Sequence, residues 1–197
     1  MRKLLLTITA LALGSFAYAQ QGSVTGLGVK AHFGFASVSG EDAGGADPAL
    51  GYAIGGFADF FLTEHVNITP ELQYVKRGYH TDLDEQEAIH VDYQYISVPV
   101  MAKYAWQMNE LRPFLQVGPE FGILLRADWD GNDFTEQTTA LDFGLNVGGG
   151  VQITQRWGAE MRYFFGLKST DEGGDTDIRN TGAMFGVTYN FLGVPGR

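Results

Sequence analysis

The sequence predicts an all-β protein, a single eight-stranded, antiparallel, up-and-down barrel that crosses a membrane. Apolar and polar residues alternate in eight segments, as they do in a strand with two chemically different faces. Short and long connections between these segments also alternate along the chain. After the N-terminus no apolar run reaches the length of a membrane helix, so the chain would have to span a bilayer as a closed barrel.

The eight segments are each about ten residues or longer, the length that a tilted strand needs to cross a bilayer. In chain order they are residues 27–35, 52–62, 66–79, 93–104, 111–126, 141–153, 157–168 and 182–191. In the last segment, Phe185, Val187, Tyr189 and Phe191 share one face, and smaller or polar residues occupy the other. We expect this strand to pair with the first one, because that closure removes the edges of the sheet.

The connections predict which end of the barrel faces out. Residues 63–65, 107–110 and 155–156 form short turns, whereas residues 37–49, 80–90, 127–139 and 169–180 form longer polar loops. Transmembrane barrels of bacteria have short periplasmic turns and long extracellular loops. The four long loops carry 15 of the 23 acidic residues, which is typical of a solvated surface.

Alternation alone does not decide which face meets lipid, since a soluble lipocalin-like barrel also alternates, with its apolar face inside. Glycine decides between the two, because it is concentrated on the polar face, as at Gly28, Gly144 and Gly186. A solvent-exposed face has no need of glycine, but the narrow interior of an eight-stranded barrel does. Aromatic residues gather at both ends of the apolar face, as in the interfacial girdles of membrane barrels. The apolar face is therefore predicted to meet lipid.

The N-terminus predicts export. A basic start, a short apolar run and the small-residue site Ala17-Tyr18-Ala19 indicate a secretory signal peptide over residues 1–19, followed by the barrel domain over residues 20–197. A buried N-terminal helix is the alternative. The formal charge of −10 argues against nucleic acid as a partner, and the lack of cysteine excludes disulfides and thiolate chemistry.

Twelve ionisable residues are predicted to face the lumen as a charge network. They are Lys30, His32, Asp59, Glu71, Arg77, Lys103, Glu120, Arg126, Asp142, Glu160, Arg162 and Lys168. Charges that are buried must be paired, because each unpaired one costs several kcal/mol. The network is interpreted either as a plug that closes the lumen or as a narrow ion path or gate. Eight strands leave an interior just wide enough for side chains, which favours the plug.

Two other groups of residues are candidate sites. His32, and the rim residues His80, His90 and Asp92, are of the types that serve as general acids or bases, but no nucleophile stands at a recognisable spacing. We therefore predict no catalytic residues and no enzyme. Asp128, Asp130 and Asp133 alternate around a glycine turn and can gather oxygens for Ca²⁺, although Asp-Gly and Asn-Asp are also ordinary turn sequences. Apart from this Ca²⁺, no cofactor is expected.

Several stretches resemble those of small outer-membrane β-barrels of the porin-like family, akin to the OmpA/OmpX-type eight-stranded barrels. They are the export signal, Pro70-Glu71-Leu72-Gln73-Tyr74 with Arg77-Gly78, Ser97-Val98-Pro99-Val100, and Gly186-x-x-Tyr189-x-Phe191. The resemblance implies an outer-membrane location and contact with outer-membrane lipid and lipopolysaccharide. It also implies that Gly186, Tyr189 and Phe191 form the C-terminal signal recognised by the barrel-assembly machinery.

The leading functional hypothesis is a structural or interaction role, in which a closed barrel displays acidic extracellular loops to an unidentified partner. The alternative hypothesis is a narrow channel or a small-solute-binding barrel.

Overall fold

The computed structural model describes residues 24–192, apart from residues 42, 45, 82–88, 109, 130, 134, 136–137 and 170–176. The predicted signal peptide lies outside the described residues. The strands in the described part of the chain are β1 (Val24–Ser39), β2 (Ala46–Phe61), β3 (Val66–Thr81), β4 (Ile89–Ala105), β5 (Arg112–Trp129), β6 (Asn132–Asp133), β7 (Leu141–Gln152), β8 (Trp157–Gly166) and β9 (Arg179–Asn190). Among these residues no helix is long and apolar enough to cross a bilayer.

The sheet closes on itself. Neighbouring strands pair antiparallel, and β1 pairs with β9 from Gly28–Asn190 to Ser39–Arg179. The pairing of β4 with β5 links the remaining two long strands, and the short strand β6 only extends the hairpin at the end of β5. Eight long strands therefore form a closed barrel, which confirms the predicted fold class and the predicted pairing of the last strand with the first.

Most of the strands are longer than the alternating segments predicted, whereas β7 and β8 end earlier than predicted. β4 and β5 contain 17 and 18 residues, and β1 continues to Ser39, inside the predicted 37–49 loop. Ser37 and Val38 still pair with Thr181 and Asn180 there. Strand pairing joins backbone groups, so it continues where the alternation of side chains has ended.

The two faces of the wall are those predicted. Large apolar side chains cover the outside, where Phe33 is 65% exposed and Leu50 is 66% exposed. Charged side chains occupy the inside, where Glu71 is only 3% exposed. Exposing such a continuous apolar surface to water is unfavourable, so the outer face is suited to contact with lipid.

Aromatic side chains lie together at the short-turn end of the outer face. The rings of Trp157 and Tyr189 are 4.8 Å apart, and those of Tyr104 and Trp106 are 6.1 Å apart. The guanidinium of Arg156 donates a hydrogen bond of 3.1 Å to the hydroxyl of Tyr189. Rings with one apolar and one polar end suit the boundary between hydrocarbon and headgroups.

Candidate functional site

The interior of the barrel is the candidate functional site, because ten of the twelve predicted lumen residues lie there. They are four cations (Lys30, Arg77, Lys103 and Arg162), five carboxylates (Asp59, Glu71, Glu120, Asp142 and Glu160) and His32. Side chains two residues apart in a strand lie on the same face of the sheet. On each strand these residues are separated by an even number of positions from other inward-facing residues, so they face the interior as well. They form three layers along the barrel axis.

The middle layer joins β1, β3 and β8 through two carboxylates shared between two cations. Lys30 Nζ lies 2.7 Å from Glu71 Oε1 and 3.1 Å from Glu160 Oε1. The two terminal guanidinium nitrogens of Arg162 donate hydrogen bonds of 2.7 Å and 2.6 Å to the two carboxylate oxygens of Glu71. One of these nitrogens also lies 2.8 Å from Glu160 Oε1. Both carboxylate side chains have no exposed area. A two-pronged guanidinium contact of this kind fixes direction as well as charge, so the layer holds the three strands in one arrangement.

His32 extends the middle layer across the closing seam. Its Nε2 lies 2.7 Å from Glu160 Oε1 on β8, although β9 runs between the two strands. His32 and Glu160 are both register partners of Gly186 on β9. A Cβ atom at position 186 would stand 2.7 Å from His32 Nε2, so the imidazole lies in the space that glycine leaves.

The layer nearer the long loops is centred on Arg77. Its guanidinium bonds to Glu120 and lies 3.3 Å from Asp142 Oδ2. Asn146 donates a hydrogen bond of 2.5 Å to the second oxygen of Glu120. Asn180 donates to Asp142 at 3.0 Å and so connects β9 to this layer. The side-chain amides of the two asparagines therefore supply hydrogen bonds to carboxylate oxygens that Arg77 alone does not satisfy.

The layer nearer the short turns contains Asp59 and Lys103. Thr69 donates a hydrogen bond of 2.5 Å to Asp59 Oδ1, and Lys103 Nζ lies 3.3 Å from the same oxygen. The ammonium also lies 4.9 Å from the centre of the Phe114 ring and 5.7 Å from that of Phe57. Cations are attracted to aromatic faces at such distances. This layer therefore combines an ion pair with two aromatic rings.

Inward-facing aromatic rings are the functional residues that the sequence analysis missed. Phe57, Phe114 and Phe164 are all buried in the interior, and the guanidinium carbon of Arg77 lies 3.7 Å from the centre of the Phe164 ring. Each ring lies over a glycine of a neighbouring strand, as Phe57 does over Gly28. The glycines of the polar face were the available signal, because a missing side chain leaves room for a large one beside it.

An apolar group of side chains lies inside the barrel at the end nearer the long loops. Val91, Tyr93, Tyr95, Leu124 and Ala127 are buried together there, and Tyr79 packs against them. The hydroxyl of Tyr95 accepts a hydrogen bond of 3.1 Å from Asn180, which ties this group to the charged layer below. Apolar side chains of β3, β4 and β5 thus fill part of the interior at this end.

A small cavity lies between the middle layer and the Arg77 layer. Its volume is about 20 Å³, and His32, Gln73, Arg77, Asn146, Arg162 and Phe164 are among the side chains that line it. A water molecule needs roughly 10–15 Å³ of such space. The cavity therefore has room for about one water molecule, and it is far too small for a solute.

Two of the predicted lumen residues lie elsewhere. Arg126 lies on the outer face, where its side chain is 52% exposed and pairs with Asp128 at 2.7 Å. A β-bulge opposite Gln94 and Tyr95 inserts Leu125 into β5, and one extra residue reverses the faces beyond it. Lys168 is also exposed, because β8 ends at Gly166 and the alternation was extrapolated past that end. For both residues the prediction of a lumen position was wrong.

The proposed Ca²⁺ ligands lie near the hairpin at the end of β5. Asp128 pairs in register with Asp133, and its carboxylate accepts hydrogen bonds of 2.7 Å from Arg126 and from the backbone of Gly131. Hydrogen bonds from the hydroxyl and backbone of Thr135 hold the pKa of Asp133 below its usual range. Asp130 lies outside the described residues, and within them no three acidic or histidine side chains converge on a metal position. Calcium binding stays a prediction.

The predicted assembly residues lie on the strand that closes the barrel. Gly186 faces inward beneath His32, and Tyr189 faces outward against Trp157. The backbone nitrogen of Phe191 donates a hydrogen bond of 2.8 Å to Leu27. The rim residues His80, His90 and Asp92 lie at the other end of the barrel, where Asp92 pairs with Lys76 at 2.8 Å.

Comparison with known proteins places this barrel in a family. Residues 18–172 match the profile described as outer membrane protein beta-barrel domain. The chain belongs to this family. Membership implies a location in the outer membrane. No significant match was found among curated protein sequences.

Solved structures share the fold. Neisserial surface protein A (NspA) is similar with a TM-score of 0.56 and 17% identity, over 84% of this chain and 97% of that one. The outer membrane enzyme PagL is similar with a TM-score of 0.52 and 13% identity, over 82% of this chain and 98% of that one. OprG of Pseudomonas aeruginosa follows with a TM-score of 0.48 and 12% identity, over 87% and 98%. At such identities the likeness concerns the fold, which hosts different activities.

Proposed function

We propose that the protein is a closed, non-conducting outer-membrane barrel whose function lies in the connections that it displays outside the cell. The observation that carries this proposal is the filled interior, in which paired charges and inward-facing rings leave a cavity of about 20 Å³. Export through a signal peptide over residues 1–19 and insertion by the barrel-assembly machinery are parts of the same proposal.

The charge balance of the interior supports a structural plug. Four cations face five carboxylates, and the contacts run between side chains of β1, β3, β5, β7 and β8. A conducting lumen needs sites that bind ions weakly enough to release them. Carboxylates held at 2.6–2.8 Å by the guanidinium fork of Arg162 are instead occupied permanently by the protein itself.

The acidic residues of the long connections support a role in display. The four connections carry 15 of the 23 acidic residues, and charged connections on a rigid barrel are well placed to meet a partner. A basic surface is the partner chemistry that such loops favour, since opposite potentials steer association.

A narrow channel is the second candidate, and unpaired polar atoms inside the barrel favour it. Within the described residues, Gln116 Nε2, Asp142 Oδ1, Glu160 Oε2 and Arg162 Nε are buried without a hydrogen-bond partner. These atoms belong to the layers around the cavity. If the side chains of these layers rearranged, an ion moving along the barrel axis would meet unpaired polar groups. This candidate predicts that conductance depends on Glu120, Arg162 and Lys103.

We infer no catalytic function, although PagL shows that an enzyme can have this fold. The rim carboxylate of Asp92 pairs with Lys76, which supports a surface ion pair rather than an acid–base dyad with a histidine.

The experiment that tests the proposal is complementation in the native host. Cells that lack the protein would receive either a variant in which residues 171–176 are replaced by a Gly/Ser linker, or the lumen variant Lys103→Met. Surface protease accessibility would confirm that both variants are inserted. The proposal predicts that the linker variant fails to restore the wild-type phenotype and that Lys103→Met restores it. The opposite result would favour the channel.

A further inference from the structure

Two histidines face each other across the ends of β3 and β4. His80 and His90 are direct register partners, one residue from the end of β3 and one residue into β4. Their neighbours Tyr79 and Val91 point inward into the apolar group of β3, β4 and β5, so strand alternation places both imidazoles on the outer face.

The two histidines lie at a height on the barrel wall where the outer face is polar, outside the hydrocarbon layer of the membrane. Lys76 and Asp92 lie on the same outer face, nearer the middle of the barrel wall than the histidines, and they form an ion pair of 2.8 Å with side chains 28% and 34% exposed. Charges on the lipid face belong near the interface, where their cost is small. The histidines lie farther from the membrane centre than this ion pair, with His90 exposed and His80 half-buried, so the pair faces the outside of the cell.

The geometry of the two rings suits a shared ligand. Their centres are 4.2 Å apart and the ring planes meet at 80°. Among the described residues, His80 Nδ1 is a buried atom without a hydrogen-bond partner. Buried polar atoms are nearly always paired, so this nitrogen lacks a donor or acceptor that its position calls for. Two nitrogens bound to one tetrahedral metal ion stand about 3.3 Å apart, so two imidazoles in contact are close enough in space to share one ion.

We propose that His80 and His90 form a binding site for one borderline divalent metal ion, Zn²⁺, Cu²⁺ or Ni²⁺. Imidazole nitrogen suits these ions, whereas Ca²⁺ and Mg²⁺ prefer oxygen. No third acidic or histidine side chain of the described residues already converges on the pair, so water completes the coordination. Asp47, the exposed register partner of His80 on β2, adds a negative charge in the same row of the sheet.

A bound ion would link the ends of β3 and β4 across the connection of residues 82–88. That connection carries Asp82, Asp84, Glu85 and Glu87 in the sequence, and a negative potential raises the local concentration of cations. Because the ion binds the folded protein, it would also raise the temperature at which the barrel unfolds.

The test uses the tag-free, refolded full-length mature protein, titrated with Zn²⁺ and, for spectroscopy, loaded with Cu²⁺. The variants are His80→Gln and His90→Gln. The matched control is His65→Gln, because His65 also stacks on a ring, Tyr104 at 5.7 Å, but lies at the opposite end of the barrel. We expect one ion per chain, and electron paramagnetic resonance of the Cu²⁺ form should show two imidazole nitrogens.

Each of the two rim variants should weaken Zn²⁺ binding about tenfold or more and remove one of the two nitrogens from the spectrum, while the control leaves both unchanged. Equal affinity in all three variants would place the ion elsewhere and overturn the proposal. No binding at about 1 mM Zn²⁺, where a two-imidazole site should be occupied, would overturn it as well.

Discussion

His32 on the first strand of the barrel reaches over the last strand to Glu160 on β8, with 2.7 Å between Nε2 and Oε1. Gly186 makes this possible, because it is the register partner of both residues and has no side chain between them. The contact crosses the seam where the two ends of the chain meet. It therefore fastens the closure of the barrel from inside, in addition to the backbone hydrogen bonds of the seam.

The first prediction concerns this seam. Gly186→Ala should destabilise the barrel by about 1–3 kcal/mol, because the new methyl group collides with the His32 ring in a packed interior. Urea unfolding of the refolded protein in lipid vesicles measures the effect without the assembly machinery. Adding His32→Ala should recover part of the loss. If the two substitutions are simply additive, the ring and the glycine are not coupled.

The second prediction concerns the middle charge layer. Glu71→Gln should cost about 3–5 kcal/mol, since it leaves Lys30 and Arg162 with only one of the two carboxylates that they share. The same unfolding measurement applies. The exposed turn residue Glu64 provides the control, as Glu64→Gln should change stability by no more than about 0.5 kcal/mol. Equal stability of the two variants would show that the layer contributes no pairing energy.

The third prediction concerns the bulge in β5. Arg126→Gln should leave stability within about 0.5 kcal/mol of wild type, because the side chain is exposed on the outer face. Arg77→Gln should cost several times more, since it leaves Glu120 and Asp142 unpaired inside the barrel. A large loss for Arg126→Gln would mean that this arginine does enter the lumen and that the bulge is misplaced.

The fourth prediction concerns the lipid face. Val147→Arg should abolish insertion, because an arginine near the middle of the bilayer costs about 2–4 kcal/mol. Ile153→Arg is the matched control, as that residue lies at the short-turn end of the outer face, where the cost falls to about 0–1 kcal/mol. Heat-dependent gel mobility reports insertion. Normal insertion of the Val147 variant would mean that this face does not meet lipid.

Strand number, closure and the two faces could be predicted from the sequence, because period-two alternation is a local property that each segment carries by itself. The same rule placed Glu71 and Arg162 inside correctly. It failed at Arg126, since one inserted residue reverses the faces and leaves no mark on composition. It also failed at Lys168, where the strand stops before the pattern does.

The pairing within the interior could not be predicted from the sequence. Lys30 meets Glu160 across 130 positions of the chain, and this contact depends on the closing register between β1 and β9. Alternation says that a side chain points inward, but it does not say at which level of the axis the residue lies. Alternation does place Phe57 and Phe164 inside, with the parity of Asp59 and Arg162, but only polar side chains were sought on that face, and the glycines beside the rings were not used as a sign of unfilled space.

Current across a planar bilayer that holds the refolded mature protein tests the closed lumen most directly. Insertion would be verified beforehand by heat-dependent gel mobility. The filled interior predicts a silent bilayer at neutral pH, with no stepwise current above that of the lipid alone. Steady, reproducible steps that change with Arg162→Ser would contradict the plug and would make the charged layers an ion path.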